Sequence, residues 1–479
     1  MERNSKGGTK VNTKFSDFLV SKERSAKKLI DILSKNFDYV SVLGTDVFGK
    51  VFSVSKEETI IKDSNWSEQG FVIRVYKNKR FFEYSTNEMT DAEETAEKIV
   101  SLFDETESLN MNFTEYPQFR EDSMTETFSK GYEKEPQNNE HIIIEKLTEI
   151  KDKAFSLSDN LISFDAIFEW VKVSKFFISR NKNLKQSYLW SQGYCIPTVS
   201  DGSKIKYSYK TYSGLKGLEL IDEMIKGTEE NISHTNSLLN AKRIIPGEYE
   251  IICSPEISGL IAHEAFGHGV EMDMFVKNRA KAAEYIGKRV GSDLVNMRDG
   301  AKSAEHVSSY FFDDEGVLAQ DIKIIEKGIL LDGICDTLSA LYLKKKPTGN
   351  GKRQSFERKA YTRMTNTFFE PGNDKLEDMI KSVDNGFLLI DEMSGMEDPK
   401  EWGIQCMILS ALKIENGAVT DEVYSPVILT GYVPDVLSDI SMVSGDFYLS
   451  GSGACGKGYK EFVKVSAGGP YIKTKARLG

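Results

Sequence analysis

No apolar run among the 479 residues approaches the length needed to span a bilayer, so no membrane partner is expected. Basic residues are not in excess. The 62 Lys and Arg face 73 Asp and Glu, leaving a net charge of −11 and a pI near 5.3, which argues against a nucleic-acid partner. The opening MERNSKGGTKVNTK lacks the apolar segment of a secretory signal. Cysteines number only 5, widely spaced at Cys195, Cys253, Cys335, Cys406 and Cys455. An odd, sparse set in a large chain suits reduced thiols and a cytoplasmic location better than a disulfide framework. Internal repeats and low-complexity tracts are missing too. What remains is 40% hydrophobic and 28% charged, an ordinary globular composition at a length suited to two domains.

Residues 1–14 read as a mobile tail. A helical pattern over about 15–36 precedes short β-like runs starting near 39, 50, 59, 71 and 80. Thr90, with Glu93 three places on, reads as a capping box opening an amphipathic helix. The polar stretch 104–139 reads as loop or insertion. Strand signals over 185–213 lead into a long helix at about 215–241, and RIIPG at 243–247 supplies the best boundary. Beyond it come glycine-punctuated β-like runs such as GFLLIDEM and CMILSALKIENGAVT, whose ENG reads as a turn. The expected fold is α+β. An N-terminal sheet-and-helix domain (15–243) is followed by a C-terminal domain (244–479) rich in antiparallel strands, with one conspicuous helix near its start.

That helix carries the sequence HEAFGH at 263–268. Ser254 and Pro255 mark its start, an N-cap residue and a proline at the first helical position. Ile257, Leu260 and Ile261 then form an apolar face running into His263. The chain has only 5 histidines, and two of them bracket Glu264 here. In a regular α-helix, residues four apart lie about 40° from alignment, whereas residues five apart diverge by about 140°. For His263 and His268 to share an ion, the helix must be distorted. A π-bulge would do it, or a break at Gly267 that lets His268 swing back.

A catalytic zinc wants three protein ligands and an open position. Candidates for the third are Glu271, Asp273, Glu284, His306 and a cysteine. Glu271 suits an orienting role behind His268. His306, in the polar SAEHVSSY, reads as an exposed loop histidine. Cys455 lies in GSGACGKG, where surrounding glycines allow close approach. Gly451 to Lys457 also fits seven positions of a phosphate-binding loop. The eighth is Gly458 in place of Ser or Thr, and only 21 residues follow (479 minus 458), so that reading is rejected.

HEAFGHGVEMD and GSGACGKG, with SYFFDDEGVLAQ, PTGNGKRQSF and RMTNTFFEPG in order between them, resemble segments of the TldD/PmbA family, specifically its TldD-type subunit. The resemblance implies a zinc metallopeptidase acting on flexible or unfolded peptides, with His263, His268 and Cys455 holding the metal and Glu264 as general base. It also implies a dimer, formed with a second copy or with a TldE/PmbA-type subunit. Oxyanion candidates are Arg353 and Tyr459. A non-catalytic scaffold of the same family is the alternative, and a structural zinc closed by Glu271 or Asp273 is a third. The stretch DEMSGMEDPKEWGIQC (391–406) departs from the family by its length and charge.

Overall fold

The computed structural model describes residues 11–109, 113–458 and 461–479, and its architecture is α+β. Of the expected tail, residues 1–10 lie outside the described set. Val11–Asn12 pair antiparallel with Gly131–Tyr132, and Thr13 is buried.

The first half is organised around a nine-stranded sheet. Its central strands, Tyr39–Val54, Leu161–Ser179 and Lys182–Ser200, are long and antiparallel. Both faces of this sheet are covered. On one face the helices Asp17–Leu33 and Ala92–Ser108 pack over Phe71, Ile73 and Phe176. The helices Glu140–Leu157 and Glu219–Ser237 cover Phe164, Phe168 and Trp170. On the other face Val171, Val173 and Phe177 meet Val307 and Phe312 from the second half of the chain. Two covered faces remove the apolar–polar alternation by which a half-exposed strand is recognised. The helix expected from Thr90 is capped instead by Asp91, whose carboxylate accepts from the Glu93 and Glu94 amides. Within the expected loop at 104–139, the helix continues to Ser108, and Met124–Ser129 adds a parallel strand beside Lys182–Ser187.

The second half contains a seven-stranded sheet that closes on itself. Gly247–Cys253 pairs with Asn385–Asp398 on one side and with Ile472–Leu478 on the other. Asn385–Asp398 and Gly403–Glu415 form a long antiparallel hairpin within it. The ENG turn falls where expected, with Asn416 and Gly417 both at positive φ between Gly403–Glu415 and Ala418–Tyr424. A six-stranded sheet lies alongside, and two pairings in this half are parallel. Between the two sheets runs the helix Pro255–Ala262. Its Ile257 and Ile261 join the largest apolar cluster of the molecule, together with Phe266, Cys406 and Ile408.

Candidate metal centre

The distortion demanded by the histidine spacing is present. Pro255–Ala262 is α-helical, His263–Gly267 forms a π-turn, and His268–Val270 continues as 3₁₀-helix. The His268 amide donates to the His263 carbonyl, so the wide turn links the two histidines directly. The added residue carries the second imidazole round to the first, with ring centroids 5.1 Å apart and nearly perpendicular. Gly267 has ordinary helical torsions. Its lack of a side chain matters for space, because a Cβ there would fall 2.1 Å from the Met364 sulfur.

Cys455 reaches the same point from the strand Ala454–Lys457. Its sulfur lies 3.3 Å from His268 Nε2, and ligand atoms of His263, His268 and Cys455 all lie within 4.8 Å of one another. The loop leading to it is fastened from several directions. Arg363 donates to the Cys455 carbonyl at 2.5 Å and to the Glu461 carbonyl at 2.9 Å. From the first half, Tyr194 donates to the Ser452 carbonyl and the Ser213 hydroxyl accepts from the Gly451 amide.

Behind the cluster, Glu271 takes the far side of His268, its carboxylate 3.1 Å from Nδ1. That fixes Nε2 toward the thiol, the usual way a ligating imidazole is oriented. Glu271 is itself held by Lys457 at 3.0 Å, and Lys457 also binds Asp273 at 2.6 Å. Burial pushes the Glu271 carboxyl up, but Lys457, His268 and Arg363 bring it well below the usual carboxylate range. The same opposition sets the cluster. Burial raises the Cys455 thiol, yet the two imidazoles hold it well below its ordinary value, while the thiolate holds both histidines above theirs.

Glu264 is buried beside His263, under the strand Asn385–Asp398. That strand passes so close that a Cβ at Gly395 would fall 2.5 Å from Glu264 Cγ. A cleft of about 710 Å³ opens over the cluster and is lined by His263, Glu264, His268, Glu392, Glu397 and Cys455, among others. Burial lifts Glu392 to about 7 and Glu397 to about 9.

The other sequence candidates fall elsewhere. Asp273 serves Lys457 and Lys277 and does not join the cluster, and Glu284 is exposed at the end of a short 3₁₀ turn. His306 is not the exposed loop residue its polar surroundings suggest. It is largely desolvated, its Nδ1 lies 3.0 Å from the Ser466 hydroxyl, and burial lowers its pKa to about 4. Arg353 turns away from the cleft to pair with Glu83 at 3.0 Å, and Tyr459 lies outside the described residues. Sequence reasoning missed Arg363, Glu392, Gly395 and Glu397, and it weighed Lys457 only as a phosphate-loop lysine. The unusual charge of 391–406 was the one available signal for the two glutamates.

The donor set suits zinc. Two imidazoles and a thiolate are three ligands of the types zinc prefers, with room for a fourth. The buried His263 Nδ1 has no hydrogen-bond partner among the described residues, and the side-chain contact of that ring is with Cys455, a fellow member of the cluster.

Comparison with known proteins gives a consistent picture. A profile of the PmbA/TldA metallopeptidase C-terminal domain matches residues 246–476. A zinc metalloprotease TldD homolog of Saccharolobus solfataricus is 34% identical over 230 residues, 48% of this chain and 51% of that protein. A metalloprotease of Methanocaldococcus jannaschii is 30% identical over 303 residues, 63% of this chain and 66% of that protein. The chain thus spans between about half and two thirds of the length of these curated relatives. In fold it is similar to TldE from Thermococcus kodakarensis, with a TM-score of 0.75 at 19% identity, covering 95% of this chain and 100% of that one.

Proposed function

Because the chain belongs to the TldD/PmbA family, we propose that it is a zinc-dependent metallopeptidase that hydrolyses flexible or unfolded peptides. The observation that carries this reading is the convergence of His263, His268 and Cys455 beside a free-standing buried glutamate, Glu264. These three residues would hold the metal, which when bound supplies a Lewis acid and an acidified water. Glu264, adjacent to the first histidine, takes up the proton of the attacking water and returns it to the leaving amine. Glu271 keeps His268 in the tautomer that presents Nε2 to the site, and Lys457 keeps Glu271 ionised. The strand at Gly395 limits the freedom of the Glu264 side chain.

The depth of the site supports this substrate class. His263 is 8% exposed and Cys455 5%. A bond within a folded surface cannot reach them, whereas an extended chain can enter the cleft. Five free, buried cysteines favour a reducing, cytoplasmic setting, and no helix among the described residues is long and apolar enough to cross a membrane. Assembly as a dimer, with itself or with a TldE-type subunit, is part of the same proposal. The test is metal analysis of the purified protein together with cleavage of an unstructured peptide before and after chelation. Zinc near one equivalent and chelator-sensitive, zinc-restored hydrolysis are expected. A metal-free protein or chelator-resistant cleavage would sink the reading.

A further inference from the structure

We infer that Glu392 and Glu397 make the cleft selective for a positively charged group on the peptide, either a free amino terminus or a Lys or Arg side chain. This rests on the peptidase reading and adds a substrate preference to it.

The argument starts from strand register. Residues five apart on a regular strand face opposite ways. Here Glu392 pairs with Ile408 and Ser394 with Met407, leaving Met393 as an extra residue in a bulge. The bulge restores phase, so that Glu392, Gly395 and Glu397 all lie on one face. Bulges near functional sites commonly re-aim side chains in this way. The cross-strand partners of these three are Ile408, Cys406 and Ile404, all buried in the main apolar cluster. Both carboxylates therefore occupy inner-face positions, where the partner strand carries apolar residues.

A carboxylate in such a place is costly unless it is paired. Neither glutamate forms an ion pair with a lysine or arginine among the described residues, and both oxygens of Glu397 are buried without a hydrogen bond. They flank the cluster on two sides. Glu397 packs over Gly269, directly after His268, whereas Glu392 lies by His263 and Glu264. The lysines around the cleft are engaged elsewhere, and the positive charges that act on the two glutamates are those of the cluster itself, His263 on Glu392 and His268 on Glu397. Lys457 is held by Glu271 and Asp273, Lys277 is paired with Asp273, and Arg279 stands exposed. Two inner-face carboxyl groups without a lysine or arginine partner, on the wall of a substrate-sized cleft, fit a guest that brings its own positive charge and favours their ionised form.

The test uses zinc-loaded protein and fluorescein-labelled peptides identical except for Lys against Gln beside the cleaved bond, each with a free or an acetylated amino terminus. Cleavage is read as the ratio of kcat/KM for charged over neutral peptide, and binding by anisotropy to the Glu264→Gln protein. A preference of at least about tenfold for the charged peptide is expected, falling to within about twofold in the Glu392→Gln/Glu397→Gln protein. Glu397→Asp, which keeps the carboxyl group, should retain part of it. The free-terminus and Lys arms show which ammonium is read. No preference, or one untouched by the double substitution, overturns the inference. A binding preference with no cleavage of any peptide would defeat the peptidase reading while leaving the charge selectivity standing.

Discussion

The Cys455 sulfur lies 3.3 Å from His268 Nε2, although 187 residues separate them in the chain (455 minus 268). The contact brings the strand Ala454–Lys457 against the end of the π-turn and makes the thiol part of the cluster. Cys455→Ala should therefore weaken zinc binding by at least about a hundredfold, since loss of an outer-sphere partner alone costs about 10- to 100-fold. Zinc content after dialysis against a weak chelator measures this. Retention of a full equivalent would remove the cysteine from the site.

Glu264 sits within the cluster's reach but outside the group of ligand atoms, so metal binding and proton transfer are separable. Glu264→Gln keeps the shape and the hydrogen-bonding reach of the side chain while removing the base. Peptide hydrolysis should fall on the order of 10²- to 10⁴-fold with zinc content unchanged. Normal turnover by the zinc-loaded variant would reassign the proton to another group.

Gly395 is a positioning residue for Glu264. A Cβ at this point would fall 2.5 Å from Glu264 Cγ, so either the strand or the carboxylate must shift. Displacements near an angstrom cost on the order of a hundredfold in rate when they move a reacting group. Gly395→Ala should lower kcat by roughly 10- to 100-fold and leave zinc content unaltered. Unchanged kcat would mean that the hairpin yields without disturbing the base.

The parts of this site legible in the sequence are those with local causes. Ser254 and Pro255 announced the helix, and five-residue spacing of two histidines demanded a distorted turn that the chain supplies. Glycines around Cys455 signalled a close approach, though only the likeness to a family chose that thiol over nearer carboxylates. The parts that were not legible depend on register and on distant pairing. Glu392 and Glu397 share a face only because Met393 bulges, which no alternation pattern discloses. Lys457 acquires its role from Glu271 and Asp273, 186 and 184 residues away. The strand Leu161–Ser179 and the helix Glu140–Leu157 escaped notice. The strand is covered on both faces and shows no clean alternation, while the helix begins at Asn139 without a side-chain cap.

The electrostatics of the metal-free cluster fix how zinc uptake responds to pH. Burial raises the Cys455 thiol and lowers the histidines, but their mutual attraction reverses both shifts, favouring the thiolate and making the imidazoles hold their protons more tightly. Zinc binds only the neutral imidazole, so it must displace histidine protons while the thiolate is already in place. Because the histidine pKa values are raised, the protons are held to higher pH, and zinc affinity increases with pH until those groups have titrated. Below the raised histidine pKa values, affinity should rise about tenfold per pH unit for each proton displaced. Competition with a chromophoric chelator measures the slope, and an indicator in weak buffer counts the protons released. In Cys455→Ala the histidines lose the thiolate that holds their protons, so the slope near neutrality should flatten. An equally steep slope in that variant would place the displaced protons on groups outside the thiolate–imidazole cluster.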